Sequence, residues 1–169
     1  MIAWGKRVSQ DFRYRVIDIA IDLNIPVDFL MAVIAFESGR SFRSDKRNLA
    51  GSGATGLIQF MPSTAIALGT TTADLAKMRA EDQLHYVHLY FKPYRHKLHT
   101  IDDVYMAVLW PRAIGEPDDY VLFDVVSKPT TYRQNASLDF NKDGRITKAE
   151  ASARVRAELQ RGYEPANFE

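Results

Sequence analysis

Apolar positions recur at helical spacing through most of the chain. Phe12, Val16, Ile19, Ala20 and Leu23 follow Ser9, a good helix cap, and predict a helix ending near Asn24. Pro26 and Asp28 suit the first turn of the next helix. In that helix residues 29–36 carry no polar side chain before Glu37, and Gly39 suits the left-handed position that ends it. A helix apolar on every side is central and buried. Residues 40–56 are polar and rich in turn formers, a loop long enough to suggest function. A short helix from Pro62 to Leu68 is ended by Gly69, and another begins at Thr71 or Thr72. Arg79 to Leu98 reads as a long helix with Leu84, Val87 and Tyr90 or Phe91 inward, kinked or broken at Pro93. Asp102 to Trp110 is a further helix with Val104, Ala107, Val108 and Trp110 on its core face, stopped by Pro111. Residues 111–138 lack clear periodicity apart from a short extended or helical piece at Tyr120 to Val126. A last helix runs from Thr147 to about Gln160, with Gly162 as its cap. No segment gives a convincing strand signal, so the expected fold class is all-α with long loops.

Composition narrows this little. A chain of 169 residues, 46% hydrophobic and 25% charged, fits one soluble domain with a small appendage, and no apolar run reaches membrane-span length. With 22 basic against 21 acidic residues, nothing in the overall field calls for nucleic acid as a partner. Arg40, Arg43, Lys46 and Arg47 cluster against Asp45 alone, as a solvated loop or a patch that would attract a polyanionic surface. The absence of cysteine excludes disulfides, thiolate metal sites and a thiol nucleophile. Residues 1–8 contain no apolar stretch with a cleavage site, so no secretory signal is expected there.

Glu37 is where chemistry enters. A carboxyl at the end of a buried apolar helix is pushed toward its protonated form and can donate a proton to a leaving group. The plain alternative is a helix-terminal Glu turned to solvent or paired with Arg40 or Arg43. Downstream, residues 53–65 (GATGLIQFMPSTA) combine a small-residue turn, a neutral donor and acceptor in Gln59 and an adaptable apolar contact in Met61, immediately before a helix. Such parts suit a sugar.

Glu37-Ser38 after an apolar helix, Gly53 to Gln59 and then Met61 to Ala65 together resemble the soluble-lytic type of lytic transglycosylase, which shares the goose-type lysozyme-like fold. The resemblance covers about Pro26 to Val125. It implies peptidoglycan as partner, Glu37 as sole catalytic acid and base, and Gln59 and Met61 as glycan contacts. The reaction implied cleaves between N-acetylmuramic acid and N-acetylglucosamine. Glu37 protonates the bridging oxygen, then deprotonates the muramoyl 6-hydroxyl, which closes a 1,6-anhydro ring. Two departures stand out. The family's Ala-Tyr-Asn motif is replaced at Val108 to Pro111, so that Trp110 takes the tyrosine's place and Tyr105 is a possible substitute. A serine of the family site falls on Ala50, with Ser52 close by. Two alternatives follow: a hydrolytic muramidase in which water replaces the 6-hydroxyl, or an inactive calcium-stabilised glycan-binding module.

A second motif starts at Asp139. Counting it as position 1 places Asn141 at 3, Asp143 at 5, Gly144 at 6, Arg145 at 7 through its carbonyl, Thr147 at 9 and Glu150 at 12, with apolar Ile146 at 8. This resembles the EF-hand calcium loop and implies a structural calcium ion. The plain alternative is a turn followed by a Thr147–Glu150 capping box, and the two are compatible. Pro129 and the polar residues 130–136 leave little room for an entering helix, and no second loop is available to pair. The expected organisation is a lysozyme-like domain over 1–128 with an EF-hand-like loop and helix over 129–169 packed on it. His85, His88, His96 and His99 form two i,i+3 pairs, a zinc spacing that Pro93 interrupts. A monomer is expected, made without a signal peptide and acting on the bacterial wall as a phage endolysin or virion-associated hydrolase would.

Overall fold

In the computed structural model, which describes residues 1–169, eight α-helices follow one another. They are α1 (Gln10–Leu23), α2 (Val27–Glu37), α3 (Pro62–Ala67), α4 (Thr72–Lys77), α5 (Ala80–Phe91), α6 (Ile101–Leu109), α7 (Pro129–Asn135) and α8 (Lys148–Gly162). Ser9 Oγ accepts the Phe12 N–H at 3.1 Å to start α1, and Asn24 closes it in the left-handed conformation. The chain bends sharply, by 117°, between α1 and α2. Leu30 to Ala35 of α2 have no exposed surface, as the unbroken apolar run requires. α2 packs against α1, α6 and α8, so it is the central helix of one continuous apolar core. No single helix is long and apolar enough to cross a membrane.

The C-terminal segment is woven into this core. Leu138, Ile146, Ala151 and Val155 belong to it, and Trp4 Nε1 donates to the Glu158 carbonyl at 3.0 Å. Gly162 is the last residue of α8 rather than a cap beyond it, and a Cβ there would stand 2.7 Å from the Trp4 ring. It is glycine because an indole packs on it.

Several expectations are corrected. A two-stranded antiparallel sheet forms from β1 (Val121–Asp124) and β2 (Arg145–Thr147), with Phe123 opposite Ile146. Its strands are four and three residues long, and Leu122 and Phe123 are buried in succession, so no period-two pattern marked it. An entering helix does exist: α7 and a 3₁₀ turn at Ala136–Leu138 lead into the loop. Since α7 buries none of its residues, it carries no apolar face to read. The long helix expected over 79–98 ends at Phe91 and gives way to a 3₁₀ turn at Lys92–Tyr94, around Pro93. On α6, Val108 and Trp110 are only partly buried, while Asp102 and Asp103 are buried by pairing with Arg156 and Lys148 of α8.

Candidate active site

Glu37 is the last residue of α2. Its side chain keeps a partial opening to solvent, while burial of the carboxyl pushes it up to about 8. It lies at the negative end of the helix dipole, which disfavours the carboxylate further. Neither cation offered as a partner reaches it. Arg40 is bidentate on Glu158 of α8, with Nη2 to Oε1 at 2.7 Å, and Arg43 binds Asp45 at 2.7 Å. The plain reading of Glu37 as a surface ion-pair member is therefore corrected, and two of the four clustered cations are spoken for. Ser38, fully buried, caps the following turn by accepting the Phe42 N–H at 3.0 Å.

Two tyrosines feel the charge of the carboxyl. The Tyr105 ring of α6 is 4% exposed and meets Phe36 edge-on at 5.4 Å. Burial and then the charge of Glu37 push the pKa of its hydroxyl up. Tyr90 of α5 is raised by burial, by Tyr94 and by Glu37, and its hydroxyl donates to the Ala107 carbonyl at 2.7 Å. Trp110 faces elsewhere: its ring stands edge-on to Phe123 at 5.0 Å, with Lys128 Nζ 5.7 Å from its centroid. Tyr90 was legible in the sequence only as a core aromatic, since nothing in helical spacing says that an inward tyrosine feels a carboxyl from another helix.

The small-residue motif is a tight hairpin. Thr55 and Phe60 exchange both backbone hydrogen bonds, at 3.0 and 2.9 Å, around residues 56–59. Gln59 sits at its end with φ 54°, an uncommon state for a non-glycine residue and one that often marks a functional turn. Its Nε2 donates to the carbonyls of Lys46 and Gly56 at 3.1 and 3.0 Å, which leaves the amide oxygen for a ligand. Gln59 and half-exposed Met61 line one small cavity of about 80 Å³ with Phe60, Tyr90 and Val108. Ser52 lies outside this cavity and its hydroxyl accepts the Ala54 N–H within its own turn.

Gln83 is a residue that sequence reasoning missed. Fully buried on α5, it accepts the Leu57 N–H at 2.8 Å and donates to the Ser44 and Leu75 carbonyls at 3.0 and 2.9 Å. Gly56 makes room for it, since a Cβ there would stand 2.2 Å from the amide oxygen at φ +87°. A glutamine one position before inward Leu84 and four before Val87 was the available signal.

In the 139–150 loop, Asp139 Oδ2 accepts the Tyr132 hydroxyl at 2.6 Å and the Gly144 N–H at 3.0 Å. Its Oδ1 is buried without any partner, although the residue is only 6% exposed. Asp143 accepts the Arg145 N–H at 2.8 Å, and Asn141 Oδ1 accepts the Asp143 N–H at 2.9 Å. Glu150 uses Oε2 for the Thr147 capping box. As they stand, no three His, Asp or Glu side chains converge to hold an ion. An orphaned anionic oxygen inside a loop of hard oxygen donors nevertheless fits a calcium ion, with the second oxygen of Glu150 free to turn inward. Of the histidines, His88 Nε2 lies 2.8 Å from Asp22 and His85 packs edge-on to Tyr86.

Residues 17–87 match the family model described as Transglycosylase SLT domain. The matched stretch takes in the second half of α1, all of α2, the hairpin, α3, α4 and the first two turns of α5, and leaves out α6, the sheet, α7 and α8. No curated protein matches the chain. The part of the fold that carries Glu37, Gln59 and Met61 is thus similar to a transglycosylase domain.

Proposed function

We propose that the protein is a peptidoglycan lytic transglycosylase in which Glu37 is the only acid and base, and that its product carries a 1,6-anhydromuramoyl end. The observation that carries this reading is the Glu37 carboxyl, free of any cation and held protonated by burial, within the segment similar to a transglycosylase domain. A carboxyl titrating near 8 is an acid at neutral pH, so it delivers its proton to the bridging oxygen as the bond to the leaving sugar breaks. The muramoyl acetamido oxygen supports the positive centre, and the ionised Glu37 then takes the 6-hydroxyl proton as that oxygen closes the ring. Gln59 and Met61 hold the glycan at the hairpin and Tyr105 assists the carboxyl, while Trp110, packed on Phe123, and Ser52, tied into its own turn, take no direct part. A compact unit of this kind suits wall lysis by a phage endolysin or a virion-associated hydrolase.

The 139–150 loop, in this reading, holds a structural calcium ion through Asp139, Asn141, Asp143, the Arg145 carbonyl and Glu150. The ion supplies charge neutralisation and cross-linking of the loop, with no part in bond cleavage. Clearing of purified peptidoglycan by the native protein and by Glu37→Gln tests the catalytic reading: lysis by the native protein alone is expected, and equal lysis by both would remove Glu37 from the chemistry.

A further inference from the structure

Helix α6 brings Tyr105 and Val108 to the site, yet one of its ends is held by α8 and the other by β1, which pairs with β2 of the C-terminal segment. At the N-terminal end, Asp103 Oδ1 takes Lys148 Nζ at 2.7 Å, and each of these residues is 3% exposed. Lys148 Nζ also donates to the Glu116 carbonyl at 2.7 Å, while Asp103 receives the Gly115 N–H at 2.9 Å. Lys148 is the first residue of α8 and lies between Thr147 and Glu150, positions 9 and 12 of the loop. At the other end, the Trp110 ring that terminates α6 stands on Phe123 at 5.0 Å, and Phe123 is the sheet partner of Ile146, position 8 of the same loop. The twelve-residue loop therefore holds the nine-residue helix directly at one end, by the Lys148–Asp103 ion pair, and at the other through β1, whose Phe123 pairs with Ile146 and meets Trp110 edge-on. A buried Lys–Asp pair is an expensive way to gain stability, because both charges leave water, but it fixes one geometry.

We propose that the 139–150 loop acts as a clamp on α6, with Lys148, Asp103 and Phe123 as positioning residues, so that ion occupancy sets how closely Tyr105 is held against Glu37. The inference rests on the calcium reading given above. The candidate ligands Asp139 and Glu150 straddle Ile146 and Lys148 in sequence, so drawing them to one ion fixes the first turn of α8, which carries Lys148, and β2, which pairs with Phe123. If the ion favours the clamped state, a glycan that needs the clamped state must tighten the ion by the same factor.

The test uses the full chain with calcium against chelator, following calcium binding by calorimetry, backbone hydrogen exchange over 101–110, and kcat and KM separately on soluble glycan strands. In the native protein calcium should slow exchange in α6 as well as in the loop, by about tenfold, and raise kcat while leaving KM nearly constant. The neutral pair D103N/K148M should still bind calcium and protect 139–150 but lose the protection of α6. F123L, which keeps the ion pair, should lose it at the C-terminal end of α6 and serves if the double variant does not fold. Calcium binding that protects the loop while leaving α6 exchange and kcat unchanged overturns the clamp alone. An absence of calcium binding overturns the clamp and the calcium reading together.

Discussion

At the scale of single residues, Glu37 gives up stability to keep its proton at neutral pH. Its carboxyl is raised by burial from 4.5 to about 8, so the folded state favours the protonated form. Below the unfolded value both states are protonated and the residue costs nothing. As pH rises through that value the unfolded state ionises first, and stability falls until the folded carboxyl ionises near 8. Glu37→Gln removes this dependence. It should match the native protein in thermal melts at pH 4 and exceed it at pH 7 by on the order of 1 kcal/mol, while activity falls at least about 100-fold. Native cleavage should fall as pH rises past about 8, when the acid is lost. The tyrosines separate in the same way. Tyr105 feels the charge of Glu37 and Trp110 packs on Phe123, so Tyr105→Phe should lower kcat about tenfold while Trp110→Phe, which keeps an aromatic edge contact, leaves it within about twofold.

Among the elements, the hairpin over residues 55–60 depends on its contact with α5. Gly56→Ala drives a methyl into the Gln83 amide in a backbone state that alanine resists. Loss of roughly 2–4 kcal/mol is expected in denaturant titrations, by strain and by the loss of hydrogen bonds to Leu57, Ser44 and Leu75. Helices whose apolar face runs into a core were legible from spacing: α1 and α2 lie where Ser9, Asn24 and Pro26 placed them. α7 was not legible because it has no buried face, and the sheet was not because its strands are too short to alternate. The acid at the end of α2 could be read from its own surroundings. The environment of Tyr90 and Tyr105 could not, because it arises where three helices meet; on α6, Val104 and Ala107 are inward as read, Trp110 is only partly buried, and Asp102 and Asp103 are buried beside them.

For the whole molecule, one core joins the segment similar to a transglycosylase domain to the C-terminal loop and helix, through α2, α6 and α8. An ion bound only by the folded loop would stabilise all of it, by about 2.7 kcal/mol at a hundredfold excess over Kd. Chelation should therefore lower Tm by several degrees, and Asp139→Ala, which deletes the orphaned oxygen, should abolish the difference. The central claim is that a lone carboxyl cuts the glycan and closes the ring without water. It is tested most directly by mass spectrometry of the muropeptides released from purified peptidoglycan. The account predicts 1,6-anhydromuramoyl ends from the native protein and none from Glu37→Gln; reducing muramoyl ends from the native protein, or anhydro ends from the variant, would contradict it.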